Sequence, residues 1–346
     1  MVGFTTVLLL ALLTVQTLSV SSDQNSSLCS DWWSIVAHGN QVFDSEEVPS
    51  PISVDPTLFG SILNSNQIKM CQKDPKLLST IAIGVLRALN ECQKLFKNRP
   101  WNCSIFETGP AYLGKFIERG TRETGFLNAI ISAGISREVA RKCKEQDLQS
   151  CSCDFSAEKP PPDDKTTIIS GCGDNCAYGN EIAKNFAYCG TTGCVGLVAK
   201  HNNKLGRKVV QDNTGIDCVC HGLSGSCTVQ TCFKKVPDME EIGEKLLAKY
   251  DVAQQAPSLP GQSTLAYCEF SPNFCQRNLP NGIYGSSGRQ CWPDRDGPSN
   301  CNVLCCGGPV VQRQVKKETE KCEFVWCCRL ECKVVNTYYE TEYYCK

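Results

Sequence analysis

Histidine is scarce in this chain: three in 346 residues, at His38, His201 and His221. That leaves little for an imidazole metal site or for a histidine general base. Charge of one sign is also missing. Thirty-five Lys and Arg stand against 36 Asp and Glu, a formal net charge of −1, so no basic field points to nucleic acid. Past the first twenty residues no apolar run has the length of a bilayer-spanning helix. The one apolar run, Val7-Leu8-Leu9-Leu10-Ala11-Leu12-Leu13, has no Lys or Arg ahead of it. It is too short to span, and the small residues Ser19, Ser21 and Ser22 follow. It reads as a signal peptide over 1–22 whose charged start is only the α-amino group.

What is abundant is cysteine, 26 residues and an even number. At this density the natural class is a secreted disulfide protein in which every cysteine can pair. Two sequons, Asn25-Ser26-Ser27 and Asn102-Cys103-Ser104, offer Asn25 and Asn102 to N-glycans. Local basic runs, Lys204-Leu205-Gly206-Arg207-Lys208 and Arg313 to Lys317, are read first as solvated faces and second as contacts for sulfated glycans.

Two stretches of different character follow the leader, so the expected fold class is α+β. Residues 23–250 read as helical, a saposin-like bundle on which the cysteines act as staples. Leu78, Ile81, Val85, Leu89, Cys92 and Phe96 recur at helical spacing, with Asp74 as cap and Pro75 at the first helical position. Phe126, Ile130 and Ile135 to Val139 suggest a second helix. Glu181 to Tyr188, and Met239, Ile242, Leu246 and Tyr250, suggest two more. Residues 251–267, rich in Gln, Pro and Ser, have a linker's composition. From 268 to 346 helical periodicity disappears and 11 cysteines crowd together. Val310 to Val315 and Cys332 to Tyr339 alternate as hairpin strands do. This is expected to be a small β-rich, cystine-knot-like domain held by bridges more than by a core.

The most informative segment is Cys218-Val219-Cys220-His221-Gly222-Leu223-Ser224-Gly225-Ser226-Cys227, followed by Thr231-Cys232. Nested pairs 218–232 and 220–227 would make a hairpin over 218–232 pinned twice, with a Leu-Ser-Gly-Ser tip. A tip of Gly and Ser needs no such bracing for its own stability, so Ser224 or Ser226 is offered to something else. A serine hydrolase elbow fits poorly: Ser226 stands where the final Gly belongs, and no strand-turn-helix surrounds it. His221 lies too near in sequence to serve as its base. A metal site of Cys218, Cys220, His221 and Cys227 competes with bridging, which an oxidising compartment favours. A matrix or inhibitor protein would share the bridges but need no special serine. A second apolar segment, Phe324-Val325-Trp326-Cys327-Cys328, is either the core of its small domain or an exposed binding fingertip. Physics alone favours the core.

These residues resemble the Wnt family of secreted signalling glycoproteins. The signature C-x-C-H-G-L-S-G-S-C-x-x-x-T-C matches Cys218 to Cys232. In the family's order follow Glu91-Cys92-Gln93, Arg99-Pro100-Trp101-Asn102-Cys103, Cys151-Ser152-Cys153, Gly171-Cys172, His201-Asn202-Asn203 with Gly206-Arg207, Ser271-Pro272-Asn273-Phe274-Cys275, Cys305-Cys306-Gly307, Phe324 to Cys328 and Cys345-Lys346. The resemblance implies a developmental ligand that is not an enzyme and has no cofactor beyond a covalent palmitoleate on Ser224. It implies receptor contact through Leu223, Ser224 and Gly225, and through Phe324, Val325, Trp326, Cys327 and Cys328, so that segment becomes a fingertip. The implied partners are the Frizzled cysteine-rich domain, an LDL-receptor-related co-receptor met by residues 251–267, a Porcupine-type O-acyltransferase, a Wntless-type carrier and heparan sulfate proteoglycans. The implied location is the extracellular space and matrix, with membrane association through the acyl chain.

The resemblance also implies ten bridges. They are Cys92–Cys103, Cys143–Cys151, Cys153–Cys172, Cys218–Cys232, Cys220–Cys227, Cys275–Cys306, Cys291–Cys301, Cys305–Cys345, Cys322–Cys332 and Cys327–Cys328. Of the six cysteines left, Cys29–Cys71 and Cys189–Cys194 are the expected pairs, leaving Cys176–Cys268 to cross between the domains. The chain departs from the pattern in places. Glu320 and Val335 replace two family cysteines, so one bridge is lost whole. Val219 and Gln230 replace basic residues, and Phe233 replaces a tryptophan. These departures suggest a divergent, invertebrate-type member.

Overall fold

The computed structural model describes residues 51–60, 62–103, 119–157, 166–187, 192–256, 261, 263–281, 283–327 and 329–346. Among the described residues six α-helices build the first part: α1 (Ser65–Gln72), α2 (Leu77–Phe96), α3 (Arg122–Lys144), α4 (Cys176–Phe186), α5 (Gly193–Asp212) and α6 (Met239–Asp251). Helix α3 is central, packed by α2, α4, α5 and α6. The stripe Leu78, Ile81, Val85, Leu89, Cys92 and Phe96 is buried throughout. Small residues let the axes approach. A Cβ on Gly134 would meet the Gly84 carbonyl oxygen at 2.4 Å, and one on Gly206 the Ala129 carbonyl oxygen at 1.9 Å. Phe96 anchors the far end, edge-on to Trp101 and Phe126, each at 4.8 Å, and to Tyr250 at 5.0 Å.

Helix α2 starts later than Asp74-Pro75 suggests, at Leu77. Asp74 is fully buried, and one carboxylate oxygen accepts from the Gln149 and Ser150 amides while the other accepts from Lys76 N. The carboxylate that resembles a helix cap is therefore spent mainly on the distant 149–150 loop. Helices α1 and α5 carry no stripe that marks them in the sequence. In α5 the apolar series Val198, Leu205, Val209 is interrupted by Asn202, which is fully buried. Its side chain brackets Ala266, donating to the carbonyl at 2.9 Å and accepting from the amide at 3.0 Å.

That bracket orders the supposed linker. Strand β4 (Gln254–Gln255) pairs in parallel with β5 (Ala266–Tyr267), following directly on α6. The remaining chain is β-rich apart from the short helix α7 (Cys301–Leu304), and comprises β6 (Gln290–Cys291), β7 (Val310–Val325) and β8 (Arg329–Cys345) in the order β6-β8-β7. The two alternating runs read from sequence belong to one long hairpin. Its root packs on a core of Cys291, Cys301, Leu304, Cys305 and Cys345, so sulfur supplies most of this small interior. This part is clamped to the bundle. Arg289 donates to the Lys97 and Pro100 carbonyls just past α2, where a cation suits the helix dipole. Buried Glu123 of α3 accepts from Tyr250 and Ser271.

Nine of the implied pairs are bridged here: Cys92–Cys103, Cys143–Cys151, Cys153–Cys172, Cys218–Cys232, Cys220–Cys227, Cys275–Cys306, Cys291–Cys301, Cys305–Cys345 and Cys322–Cys332. Cys143 staples the bundle from inside. It lies in the last turn of α3, is fully buried and belongs to the hydrophobic core, so its role is interior packing as well as cross-linking. The cause is the central position of α3, which is covered on most sides even at this end. The partner of Cys143, Cys151, is half-buried in the loop after α3, tying that loop to the helix end.

The tenth described bridge, Cys194–Cys268, corrects two expectations, Cys189–Cys194 and Cys176–Cys268. The cause is the direction of α5. Its packing on α3 carries Cys194, in the first turn, to the loop where the Cys268 and Glu269 amides both donate to Gly120. Cys176, by contrast, is buried in the first turn of α4. A bridge does cross to the linker's end, but from a different helix. Cys29, Cys189 and Cys328 lie outside the described residues, and Cys71, Cys176 and Cys327 bond to no described cysteine. Non-reduced peptide mapping should release one cross-linked species containing Cys194 and Cys268 that separates on reduction. Cys194 recovered with Cys189 would contradict the observed path of α5.

Candidate functional site

A second small sheet grows out of the bundle: β1 (Thr167–Ser170), β2 (Gly215–Cys220) and β3 (Val229–Lys235), in the order β1-β3-β2. Strands β2 and β3 form the hairpin. Cys218 and Cys232 are directly paired in register, with Cα atoms 4.1 Å apart, and Cys220–Cys227 closes the tip at 4.6 Å. The base is fixed to the bundle. Val236 N donates to Asp174, Lys234 pairs with Asp154 at 3.0 Å, and buried Arg137 of α3 donates to the Pro237 carbonyl and to Asp238. Lys144 lies 3.9 Å over the Phe233 ring, so the phenyl standing for the family tryptophan makes a cation–π contact.

The tip is a single turn over Leu223–Gly225. Ser224 has φ 58°, ψ 28°, the left-handed region that costs a non-glycine residue about 1 kcal/mol or more. Gly225 follows at φ 76°. Gly222 is required for a different reason: a Cβ there would meet Ser226 Oγ at 2.0 Å. The two serines are now distinguishable. Ser226 is engaged, its carbonyl accepting from Gly222 N and its hydroxyl 3.4 Å from Thr228 Oγ1. Ser224 is exposed and its hydroxyl meets no described group, while Leu223 beside it is 93% exposed.

Neither described histidine bonds this serine. His221 Nε2 lies 2.9 Å from Thr231 Oγ1 across the hairpin, and His201 Nε2 lies 2.9 Å from the Thr264 carbonyl; His38 is outside the described residues. The sulfurs of Cys218, Cys220 and Cys227 are all in disulfides. Thus Thr231 and Asn202 are structural residues that motif reading does not separate from their neighbours.

The second apolar segment ends the β7–β8 hairpin. Phe324 pairs with Leu330 and Val325 with Arg329. Phe324 is 74% exposed and Trp326 93%. The preference for a core role drawn from hydrophobicity alone is therefore wrong, because the hairpin extends far beyond the sulfur core and has no described residue to bury its tip against. Cys322–Cys332 braces the hairpin just below the tip, and exposed Cys327 sits in the turn at φ 71°. Glu320 pairs with Val334 across a bulge that sets Val335 beside the same rung. The two positions that lack cysteine are thus neighbours.

Two apolar tips on disulfide-braced hairpins, one carrying a free serine, match a known set of proteins. A sequence model of the Wnt family matches residues 60–346. The chain belongs to the Wnt family. It is 35% identical to Wnt-1 of Danio rerio over 333 residues, covering 87% of this chain and 88% of that one. It is 32% identical to Wnt-3a of Xenopus laevis over 326 residues, covering 87% and 90%. Among solved structures it resembles a chain of the complex of human WLS with WNT8A, with TM-score 0.58, 31% identity, and coverage of 79% of this chain and 95% of that one. This Wnt chain is accordingly a secreted-type signalling ligand of mixed α and β fold. Among its described residues no helix is long and apolar enough to cross a membrane.

In the Wnt chain Val219 is exposed, and Gln230 donates to the Cys227 carbonyl at 3.4 Å. The family's basic residues there are thus replaced by an apolar side chain and a local hydrogen bond. Of the sequons, Asn25 lies outside the described residues, and half-buried Asn102 adjoins bridged Cys103. Since Trp326 is almost wholly exposed, Trp326→Ala should leave the thermal midpoint of unfolding within what ~0.5 kcal/mol produces. Phe96→Ala should cost about 3–5 kcal/mol. Comparable destabilisation by the two, in thermal melts, would return Trp326 to a core role.

Proposed function

We propose that this Wnt-family ligand carries a palmitoleoyl ester on Ser224 and engages the Frizzled cysteine-rich domain through two tips. The observation that carries this reading is the unengaged Ser224 hydroxyl, held at positive φ on a doubly bridged hairpin beside exposed Leu223. Such a serine is open to a Porcupine-type acyltransferase, and Gly225 next to it adds no side chain. The acyl chain and Leu223 occupy an apolar receptor groove. Phe324, Val325 and Trp326, with Cys327 in the turn and Cys328 next in the chain, form the second contact. At about 0.8 kcal/mol per buried CH₂, a long acyl chain supplies roughly 10 kcal/mol before ordering costs, more than either tip's side chains.

The same chain needs shelter before delivery. The solved relative bound to WLS supports a Wntless-type carrier for this ligand. Residues 251–267 are proposed to meet an LDL-receptor-related co-receptor, on a segment stapled by Cys194–Cys268. No cofactor beyond the ester is proposed, and the ligand acts outside the cell, held at membranes by its acyl chain.

The test is affinity for an isolated Frizzled cysteine-rich domain, measured on protein recovered from animal-cell extracts so that export is not required. Ser224→Ala should weaken binding at least a thousandfold, given roughly 10 kcal/mol in the acyl chain. Ser226→Ala should stay within a few-fold, and Trp326→Ala should fall between. Equal affinity of Ser224→Ala and the unsubstituted protein would overturn the lipid reading.

A further inference from the structure

Strand β8 ends in a run rich in tyrosine, Tyr338-Tyr339-Glu340-Thr341-Glu342-Tyr343-Tyr344. The fold treats its four phenols differently. Tyr343 packs against the sulfur core. Tyr344 lies beneath Arg313, and its hydroxyl donates to Glu342. Tyr338 is 47% exposed, on the ribbon face that carries the Lys317–Glu342 ion pair. Tyr339 alternates to the opposite face. It is 70% exposed, and its hydroxyl meets no described group.

Tyr339 also stands where an enzyme can read the chain around it. On the side away from β7, β8 pairs with β6 only at Tyr343 and Tyr344. From Arg329 to Glu342 that edge therefore pairs with no described strand. It is extended and open, the form in which a peptide adds as a strand to a binding cleft. Cys322–Cys332 braces the ribbon above Tyr339 and Cys305–Cys345 below it, with a bulge at Thr319/Glu320 and no bridge between. A two-stranded ribbon without a core opens locally at little cost. The flanking charge has one sign: from Val334 to Tyr344 the chain has Glu340 and Glu342 and no Lys or Arg.

These features fit sulfuryl transfer to the phenol. A transferase that holds an anionic donor has a basic cleft, and the two carboxylates steer this strand toward it. The donor class is a nucleotide with a phosphosulfate anhydride. The Tyr339 oxygen attacks sulfur, so a new O–S bond forms while the S–O bond to the phosphate breaks. The phenolic proton passes to a base of the transferase. The products are an aryl sulfate and the nucleotide phosphate. An exported chain meets lumenal sulfotransferases and not the cytosolic tyrosine kinases. Lys316 lies directly opposite Tyr339 in register and pairs with Glu318 at 2.5 Å. The folded ribbon thus offers the new anion a cross-strand cation.

We propose that Tyr339 is a tyrosine O-sulfation site, selected among the four phenols by its exposure and recognised through Glu340 and Glu342. The inference needs only passage through the secretory lumen, so it stands apart from the acyl ester and from receptor contact. The test takes the full-length protein secreted by animal cells that sulfate a co-expressed control protein. After reduction and alkylation, mass spectrometry reads the tryptic peptide Val334–Lys346. The expected species is heavier by one SO₃, placed on Tyr339 by electron-transfer fragmentation. The gain should resist phosphatase, be lost in mild acid and vanish in Tyr339→Phe, while Tyr343→Phe keeps it. Glu340→Gln, an exposed substitution, should lower its stoichiometry severalfold, because it removes one of the two steering charges. A bare Tyr339 would overturn the proposal. So would a gain that phosphatase removes, a gain carried equally by Tyr343 or Tyr344, or unchanged stoichiometry in Glu340→Gln.

Discussion

Two nested disulfides, Cys218–Cys232 and Cys220–Cys227, hold a turn that has no core of its own. A loop of Leu, Ser and Gly in water would sample many conformations and leave the left-handed one sparsely populated. Cross-linking removes most of those alternatives, so Ser224 is presented in one posture with its hydroxyl free. The same logic governs the other tip. The hairpin β7–β8 runs far from its sulfur core, and Cys322–Cys332 bonds it across just below Phe324 and Trp326. In both cases covalent bracing substitutes for burial, which lets apolar side chains remain outside.

The bracing transmits force only if its base is fixed, and the helical bundle provides that. Central α3 supplies Arg137 to the 237–238 backbone and Lys144 to Phe233, while its N-terminal Glu123 accepts from Tyr250 and from Ser271 of the β-rich part. Buried Cys143 closes the same helix end that carries Lys144, so the Cys143–Cys151 bridge works from within the core. Asn202 and the Cys194–Cys268 bridge tie the intervening segment to α5. A segment that composition marks as a linker is thereby anchored at its far end. The chain lacks one bridge near its fingertip, at Glu320 and Val335, and has a bridge at the linker.

Much of this was legible in the residues, for physical reasons that differ by region. The stripe from Leu78 to Phe96 announces its helix because one face must be apolar. The nested cysteines announce the hairpin because their spacing admits a symmetric closure. Helix α5 was hidden because Asn202 breaks its stripe, and the buried amide makes sense only once Ala266 is beside it. The pairing of Cys194 was hidden because it follows from the crossing of α5 on α3, which no local spacing encodes. Hydrophobicity alone misjudged Phe324 to Cys328, since it cannot tell a core from an anchor awaiting a partner. The distinction between Ser224 and Ser226 rested on family resemblance until the Thr228 contact separated them.

The account turns on the chemistry at Ser224. Its most direct test is mass spectrometry of the non-reduced peptide spanning Cys218 to Cys232, taken from protein secreted by animal cells. The predicted result is a monounsaturated acyl ester on Ser224, inside two intact disulfides, with Ser226 bare. A bare Ser224 within the same two bridges would leave the fold standing and contradict the lipid-borne mechanism.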